Sequence, residues 1–150
     1  MEYTLDGTES SESFETGDLY RQNRHLNSFR VNGHGGNDIL QINIVDHNGF
    51  HVADGGSGDD YMTGYANTTH LPIFADSMFI GGMGTDFVYF PSMEITDMQR
   101  GESPYSTLVT AINIYNGTEL TATVHDDVES ISYDDSSGNT LYYLTEDLAR

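Results

Sequence analysis

Three glycine-rich segments contain the residues whose types and spacing favour a chemical role. They read G-G-S-G-D-D-Y-M-T at 55–63, G-G-M-G-T-D-F-V-Y at 81–89 and G-H-G-G-N-D-I-L-Q at 33–41. Glycine at positions one, two and four allows positive φ angles and a tight turn with inward carbonyl oxygens. Aspartate at position six adds an anionic oxygen. Carbonyl and carboxylate oxygens together are the ligands that Ca²⁺ prefers.

The candidate calcium ligands are the three aspartates and the turn residues that precede them. The apolar residue two positions after each aspartate is expected to start a strand with its side chain in a core. The competing interpretation is three β-turns whose aspartates bond only to their own backbone. The full candidate set is Gly33, Gly35, Asp38, Gly55, Ser57, Gly58, Asp60, Gly81, Met83, Gly84 and Asp86.

These segments resemble the haemolysin-type (RTX) calcium-binding nonapeptide repeats, G-G-x-G-x-D-x-U-x, in which U is a large apolar residue. The resemblance implies an all-β fold with a short right-handed parallel β-roll over about residues 7–90. It also implies a module that folds when it binds Ca²⁺ in a secreted or cell-surface bacterial protein. The stretch 128–135 is similar to the V-E-x-I-x-F-x-D-G-T tail that closes such repeats, although Tyr133 replaces Phe and the turn is longer.

The spacing of the aspartates leaves two layouts open. Asp38, Asp60 and Asp86 are separated by 22 and 26 residues, which exceeds the roughly 18 residues of a two-nonamer coil. In the preferred layout the three turns lie on one side and hold ions between Asp38 and Asp60 and between Asp60 and Asp86. In the alternative, 73–80 is a separate half-coil and the Gly81 turn lies on the other side.

The remaining repeats are eroded. Residues 7–15 fit a degenerate first turn with Glu12 in the aspartate position, and 16–28 are expected to form a loop or a short helix. Asp46, Asp54 and Asp76 lie on or beside eroded turns, where a weaker ion is an alternative. Three histidines in these turns suggest either a transition-metal site or, as preferred, polar residues accepted after calcium was lost: His47, His51 and His70.

The C-terminal part, residues 91–150, is predicted to be an antiparallel, strand-rich cap of the same single domain. Residues 107–115 alternate between apolar and polar, and Asn116-Gly117 is typical of a type I′ hairpin turn. Further strands are predicted at 120–124, 128–133 and 140–144. His125 and the two aspartates after it suggest either acid–base chemistry or a loop. The loop is the preferred interpretation, because no partnered nucleophile accompanies them.

Composition excludes several classes of function. The 150 residues carry a formal charge of −19, with five arginines, no lysine and no cysteine. A P-loop, disulfides and cysteine zinc sites are therefore excluded, and binding to nucleic acid or anionic membranes is not expected. No apolar run is long enough to span a bilayer. No N-terminal signal peptide is recognised, so a C-terminal type I export signal or an origin within a larger secreted protein is expected.

Two other functional classes remain open. Repeat modules of this kind accompany polysaccharide-modifying enzymes, and five tyrosines are candidates for a sugar-binding face on an extracellular polysaccharide: Tyr61, Tyr65, Tyr89, Tyr142 and Tyr143. Strand packing is the preferred interpretation of these tyrosines. The third class is a small enzyme, which is disfavoured because no catalytic group of residues converges.

Overall fold

The computed structural model describes residues 2–16, 28–44, 51–66, 77–91, 95–103, 106–117, 119–135 and 137–148. These residues are almost entirely β-structure, which confirms the predicted all-β class. The strands are β1 Glu2–Asp6, β2 Ser13–Glu15, β3 Ser28–Asn32, β4 Ile39–Ile44, β5 His51–Ser57, β6 Tyr61–Ala66, β7 Ser77–Met83, β8 Phe87–Phe90, β9 Asp97–Ser103, β10 Ser106–Asn116, β11 Glu119–His125, β12 Ser130–Asp134 and β13 Thr140–Leu144. A short 3₁₀ helix, Thr145–Asp147, follows β13.

The strands form two sheets, and the chain passes from one sheet to the other with each successive strand up to β8. The first sheet has the order β1-β3-β5-β7-β11-β10-β9, and the second has the order β13-β12-β8-β6-β4-β2. Neighbouring strands from β1 to β8 are parallel in both sheets. Each pair of consecutive strands therefore makes one coil, and successive coils stack upon each other.

The core lies between the sheets and is built from alternate residues of the strands. In β3 the burial pattern alternates, with Phe29 and Val31 buried. The apolar residue two positions after each turn aspartate is fully buried: Leu40, Met62 and Val88. Burying such a side chain adds about 1.5–3 kcal/mol to the stability of the folded state. The nonapeptide pattern thus predicts the inward positions correctly.

Strand register settles which layout the chain adopts. In the second sheet Ile39 is opposite Tyr61, and Tyr61 is opposite Phe87. In the first sheet Gly56 is opposite Gly82. The three glycine–aspartate turns therefore stack at one edge, which confirms that they lie on one side, whereas the ions of the preferred layout stay a prediction. We call this edge, formed by 33–38, 55–60 and 81–86, the aspartate edge. The longer connections, 45–50 and 67–76, lie outside the described residues.

The C-terminal strands extend both sheets. β9, β10 and β11 are antiparallel, and the predicted hairpin turn lies between β10 and β11 with Gly117 at φ 63°. β11 then pairs in parallel with β7, and β12 pairs in parallel with β8. The core is continuous across this boundary, because Ile112, Val124 and Ile131 belong to the same buried cluster as Val31.

Four details differ from the sequence predictions. β1 was not predicted, although it pairs with β3 over its whole length. β9 was not predicted because its sequence, D-M-Q-R-G-E-S, is mostly polar; pairing with β10 outweighs its weak strand propensity. His125 ends β11 instead of lying in a loop, and β12 begins at Ser130 instead of Val128. The strand predicted at 128–133 is confirmed from Ser130 onward and begins later than predicted because 126–127 form a turn and Val128 a bend.

The predicted loop or helix over 16–28 falls almost wholly outside the described residues. Among the residues that the structure describes, no helix is long and apolar enough to cross a membrane.

Candidate metal centre

The backbone of the aspartate edge uses left-handed conformations at two positions of each turn. Position two has φ angles of 94° at both Gly56 and Gly82, and position four has 129° at Gly58 and 130° at Gly84. The 33–38 turn keeps this shape although its second glycine is missing, because His34 itself adopts φ 72°. A non-glycine residue in this region costs about 1–2 kcal/mol, so the conformation is imposed by the stack.

The first glycine of each turn is needed for a different reason than the predicted positive φ. Positive φ angles occur at positions two and four but not at Gly33, Gly55 or Gly81. A Cβ atom added at these residues would lie 2.4, 2.3 and 2.5 Å, respectively, from the Oδ2 atom of the aspartate five residues later. The first glycine therefore makes room for the carboxylate of its own turn.

The aspartates are linked to one another by backbone hydrogen bonds. The Asp38 N–H donates to Asp60 Oδ1 and the Asp60 N–H donates to Asp86 Oδ1, both at 2.8 Å. The series continues at both ends, since the Glu12 N–H donates to Asp38 Oδ1 at 2.7 Å and the Asp86 N–H donates to Glu129 Oε2 at 2.6 Å. We call these five residues the acidic ladder. The predicted role of Glu12 as the acid of a first turn agrees with this geometry.

The second carboxylate oxygen of each aspartate is left without a partner. Asp38, Asp60 and Asp86 are at most 1% exposed, and no donor reaches their Oδ2 atoms in the described part of the chain. Each Oδ2 atom lies beside the first glycine of its own turn, as does a backbone carbonyl oxygen of the next turn. The points where a Cβ would sit at Gly33 and Gly55 lie 2.4 Å from the Gly55 carbonyl oxygen and 2.8 Å from that of Gly81, respectively. The turns thus bring together carboxylate and carbonyl oxygens.

Burial makes the charged form of these carboxylates unfavourable. Desolvation raises the pKa of Asp38 and of Asp60, against the opposing effect of the N–H that each accepts. Desolvation, reinforced by the charges of Asp60, Glu129 and Asp127, raises the pKa of Asp86 to about 7. A group of this kind takes up a proton or pairs with a cation.

Position five of the turns forms a second ladder that the sequence interpretation missed. Asn37 and Asp59 are exposed. Their Oδ1 atoms nevertheless accept the N–H groups of Asp59 and Thr85, both at 2.9 Å. The Asn37 N–H in turn donates to Ser11 Oγ at 2.9 Å. The recurrence of small polar residues at this position was the available signal.

The C-terminal end of the acidic ladder is closed by the turn at 126–129, which contains no glycine. Both carboxylate oxygens of Asp127 accept backbone N–H groups, from Gly81 and Gly82, at 3.0 Å each. Glu129 occupies the next place after Asp86. The family-like tail pointed to Glu129 as part of a cap, whereas nothing in the repeat pattern pointed to Asp127.

At the opposite edge, at the starts of β3, β5 and β7, the residues that the structure describes form no matching row of carboxylates. Phe29, His51 and Ser77 are aligned there, and all three are buried. The imidazole of His51 stacks on the Phe29 ring with centroids 5.6 Å apart. Asp54 forms an ion pair with Arg30 at 3.4 Å. The other candidates from the eroded turns lie outside the described residues: Asp46, His47, His70 and Asp76.

The described residues gather no group of three or more His, Cys, Asp or Glu side chains that could hold a metal. This agrees with the architecture of the turns, because each turn directs one carboxylate inward. A cation here would depend mainly on backbone carbonyls. At position three, Met83 is 72% exposed and the Ser57 hydroxyl donates to the His34 carbonyl at 3.3 Å. Position three therefore offers a carbonyl oxygen and not a side-chain ligand.

The candidate sugar-binding tyrosines are divided between faces. Tyr61 and Tyr142 are 41% and 58% exposed, and strand register places them with Tyr89 on the outer face of the second sheet. Tyr143 points to the other face and stacks on Tyr133, with centroids 6.0 Å apart. The side chain of Tyr65 is outside the described residues.

Comparison of the chain with protein-family models, with curated proteins and with solved structures returned no match. The functional conclusion therefore depends on the residues and geometry of the aspartate edge.

Proposed function

We propose that the chain is a calcium-binding β-roll module of the RTX kind, which folds when its aspartate edge takes up Ca²⁺. The observation that carries the proposal is the row of three buried Oδ2 atoms without a donor, at Asp38, Asp60 and Asp86. Each lies beside the first glycine of its turn, together with a carbonyl oxygen of the following turn. We further propose, from the resemblance of the repeats, that the module belongs to a secreted or cell-surface bacterial protein.

A cation is the partner that suits these oxygens best. A buried polar atom without a hydrogen bond costs about 1–3 kcal/mol, and more when it is charged. Protonation would neutralise Asp86, whose pKa is about 7, for only part of the molecules at neutral pH. A divalent ion neutralises the carboxylate at any pH above that range. It can also bind the carbonyl oxygens that lie beside the same glycines.

Calcium fits this set of ligands better than other common metals. The candidate ligands are all hard oxygens, and the turns supply them from backbone carbonyls and one carboxylate each. Ca²⁺ accepts six to eight such oxygens in flexible geometry, whereas Mg²⁺ requires a near-ideal octahedron and keeps its waters. Thiolate and imidazole favour zinc and copper. The chain has no cysteine, and His34, the imidazole on this edge, lies 3.0 Å from Asp6 Oδ1 and joins no group of three such side chains among the described residues.

The same features make folding depend on the ion. Without a cation, carboxylates stacked on neighbouring strands repel each other at about 5 Å spacing, and glycine-rich turns lose much entropy on ordering. Extracellular sites bind Ca²⁺ with Kd values of about 10⁻⁴–10⁻³ M. At a tenfold excess over Kd each site contributes about 1.4 kcal/mol. Two or three sites are enough to decide whether a marginal domain folds.

A calcium titration of the chelated full chain tests this proposal. We expect far-ultraviolet circular dichroism to gain β signal and the melting temperature to rise with Ca²⁺, while Mg²⁺ at equal concentration has little effect. Asp60→Ala should weaken the response. A chain that is equally folded and equally stable in chelator and in Ca²⁺ would contradict the proposal.

A second candidate function is supported by the outer face of the second sheet. Tyr61 is aligned with Ile39 and Phe87, which are 50% and 38% exposed, and Tyr89 donates its hydroxyl to Asp134 at 2.8 Å. Exposed aromatic rings beside polar groups are suited to stacking on sugar rings. Binding of a polysaccharide fragment in calcium buffer would support this function if Tyr61→Ala abolishes it and Tyr143→Ala does not. Equal loss in both variants would contradict it.

A further inference from the structure

The turn at 126–129 stands next to the last glycine–aspartate turn in the place where another repeat would be. We propose that these two turns together form a third cation site, between Gly81 and Asp127. The inference depends on the proposed calcium function and extends it to a part of the chain with no repeat sequence. The repeat pattern by itself predicts ions only between pairs of glycine–aspartate turns.

The unpartnered oxygens outnumber the sites that the repeats provide. The three glycine–aspartate turns form two adjacent pairs, whereas three buried Oδ2 atoms lack a partner. Beside Gly33 the Asp38 oxygen lies with the Gly55 carbonyl, and beside Gly55 the Asp60 oxygen lies with the Gly81 carbonyl. Beside Gly81 the oxygen of Asp86 lies with the carbonyl of Asp127, in the closing turn. It is as buried as the others, since Asp86 is 0% exposed.

The oxygens at this third position are arranged as in the two repeat pairs. A Cβ atom placed at Gly55 would lie 2.3 Å from Asp60 Oδ2 and 2.8 Å from the Gly81 carbonyl oxygen. At Gly81 the corresponding distances are 2.5 Å to Asp86 Oδ2 and 2.9 Å to the Asp127 carbonyl oxygen. The two arrangements agree within a few tenths of an ångström. The Asp127 carbonyl oxygen therefore occupies the position that the carbonyl oxygen of the next turn's first glycine has in the repeat pairs.

Side chains hold the closing turn in this position. In the repeats, backbone carbonyls receive the N–H of the first glycine, as when the Gly33 N–H donates to the Asp54 carbonyl at 2.7 Å. At the closing turn the Asp127 carboxylate receives the N–H groups of Gly81 and Gly82 instead. Because the Asp127 and Glu129 carboxylates are engaged in this way, we assign them as positioning residues. The proposed ligand atoms are Asp86 Oδ2 and the Asp127 carbonyl oxygen.

The N-terminal end of the acidic ladder lacks these features. A Cβ atom at Gly7 would lie 2.7 Å from the Gly33 carbonyl oxygen and 2.9 Å from Glu12 Oε1, but also 3.2 Å from the ring of Phe14. Glu12 Oε1 already accepts hydrogen bonds from the N–H and the hydroxyl of Thr8. We therefore expect three ions along the edge and none at the first turn.

A crystal structure of the full chain grown with Ca²⁺ tests the inference, with the ions located by anomalous scattering. We expect three peaks, the third in contact with Asp86 Oδ2 and the Asp127 carbonyl. Peaks only between the glycine–aspartate turns would overturn the third site and leave the proposed function intact. No peak at any of these turns would overturn both.

Native mass spectrometry provides the matching test in solution, with variants that preserve the hydrogen bonds. Asp86→Asn keeps an Oδ1 acceptor for the Asp60 N–H but removes the anionic ligand, so the ion count should fall from three to two. Asp126→Asn removes the same charge from an exposed neighbour and should keep three ions. An unchanged count in Asp86→Asn, or equal loss in both variants, would contradict the site. Asp127→Asn should lower the affinity for the third ion about tenfold to hundredfold, as expected for a residue that orients ligands.

Discussion

The two edges of the coil stack differ in the turns that connect the two sheets and in the side chains buried beneath them. At the aspartate edge every turn spans the same number of residues from its first glycine to its aspartate, and the buried row consists of carboxylates. At the opposite edge the buried row is Phe29, His51 and Ser77, and the connecting segments 45–50 and 67–76 differ in length. Packing of side chains tolerates insertions between strands. A shared ion would not, because its ligands must come from adjacent turns in register.

The difference between the edges predicts a difference in how they respond to calcium. Phe29→Ala should destabilise the fold by about 3–5 kcal/mol, because it leaves a cavity beside His51 at an edge whose described residues form no row of carboxylates. Chemical denaturation should show the same decrease in the free energy of unfolding, relative to wild type, in chelator and in Ca²⁺, under all conditions in which the wild type is folded. A loss that appears only in chelator would mean that this edge also depends on the ion.

The pH dependence of stability should have opposite signs with and without calcium. Burial raises the pKa of Asp86 to about 7, above the unfolded value of 3.8. The folded state therefore binds more protons, and its stability without metal is greatest below pH 4 and falls as pH rises to about 7. Asp86 alone accounts for up to about 4 kcal/mol of this fall. With Ca²⁺ present, deprotonation favours binding, so stability should rise over the same range.

Urea denaturation at several pH values measures both profiles. Asp86→Asn should flatten the downward slope in chelator, whereas Asp126→Asn should leave most of it. A chelated wild type that gains stability between pH 4 and 7 would contradict the assigned burial of these carboxylates.

Close contact between the turns predicts a difference between two glycines that share positive φ. A Cβ at Gly82 would lie 1.9 Å from the Gly56 carbonyl oxygen, whereas one at Gly117 meets nothing within 4 Å. Gly82→Ala should cost about 3 kcal/mol or more, because strain of about 1–2 kcal/mol is added to the displaced backbone. Gly117→Ala should cost about 1 kcal/mol. Similar losses in both variants, measured in Ca²⁺, would show that the turns are not packed tightly.

Local repetition explains how much of this molecule could be predicted from its sequence. The aspartate at position six and the apolar residue at position eight must both point inward. Asp38 and Leu40 could therefore be placed from the pattern alone. The spacing left two layouts open, because the eroded turns carry no signal of register. Pairing with β7 and β8 decided between them.

The missed features depend on contacts between distant segments. Asp127 is 45 residues from the glycine N–H that it caps at Gly82, and no repeat marks its position. β9 is polar and becomes a strand because β10 offers it a partner. The purpose of Gly33 was misread because the clash that excludes a Cβ there involves the Gly55 turn as well as its own.

The most direct test of the account compares Asp60→Asn with Asp59→Asn by thermal melting in chelator and in Ca²⁺. Both variants remove one charge, and asparagine can still accept the Asp38 or Thr85 N–H that the aspartate accepts. We expect Asp60→Asn to melt several degrees higher than wild type in chelator and lower than wild type in Ca²⁺, while Asp59→Asn follows wild type in both. An Asp60→Asn variant that is less stable in chelator, or that gains as much from Ca²⁺ as wild type does, would contradict the central claim that the buried aspartates await a cation.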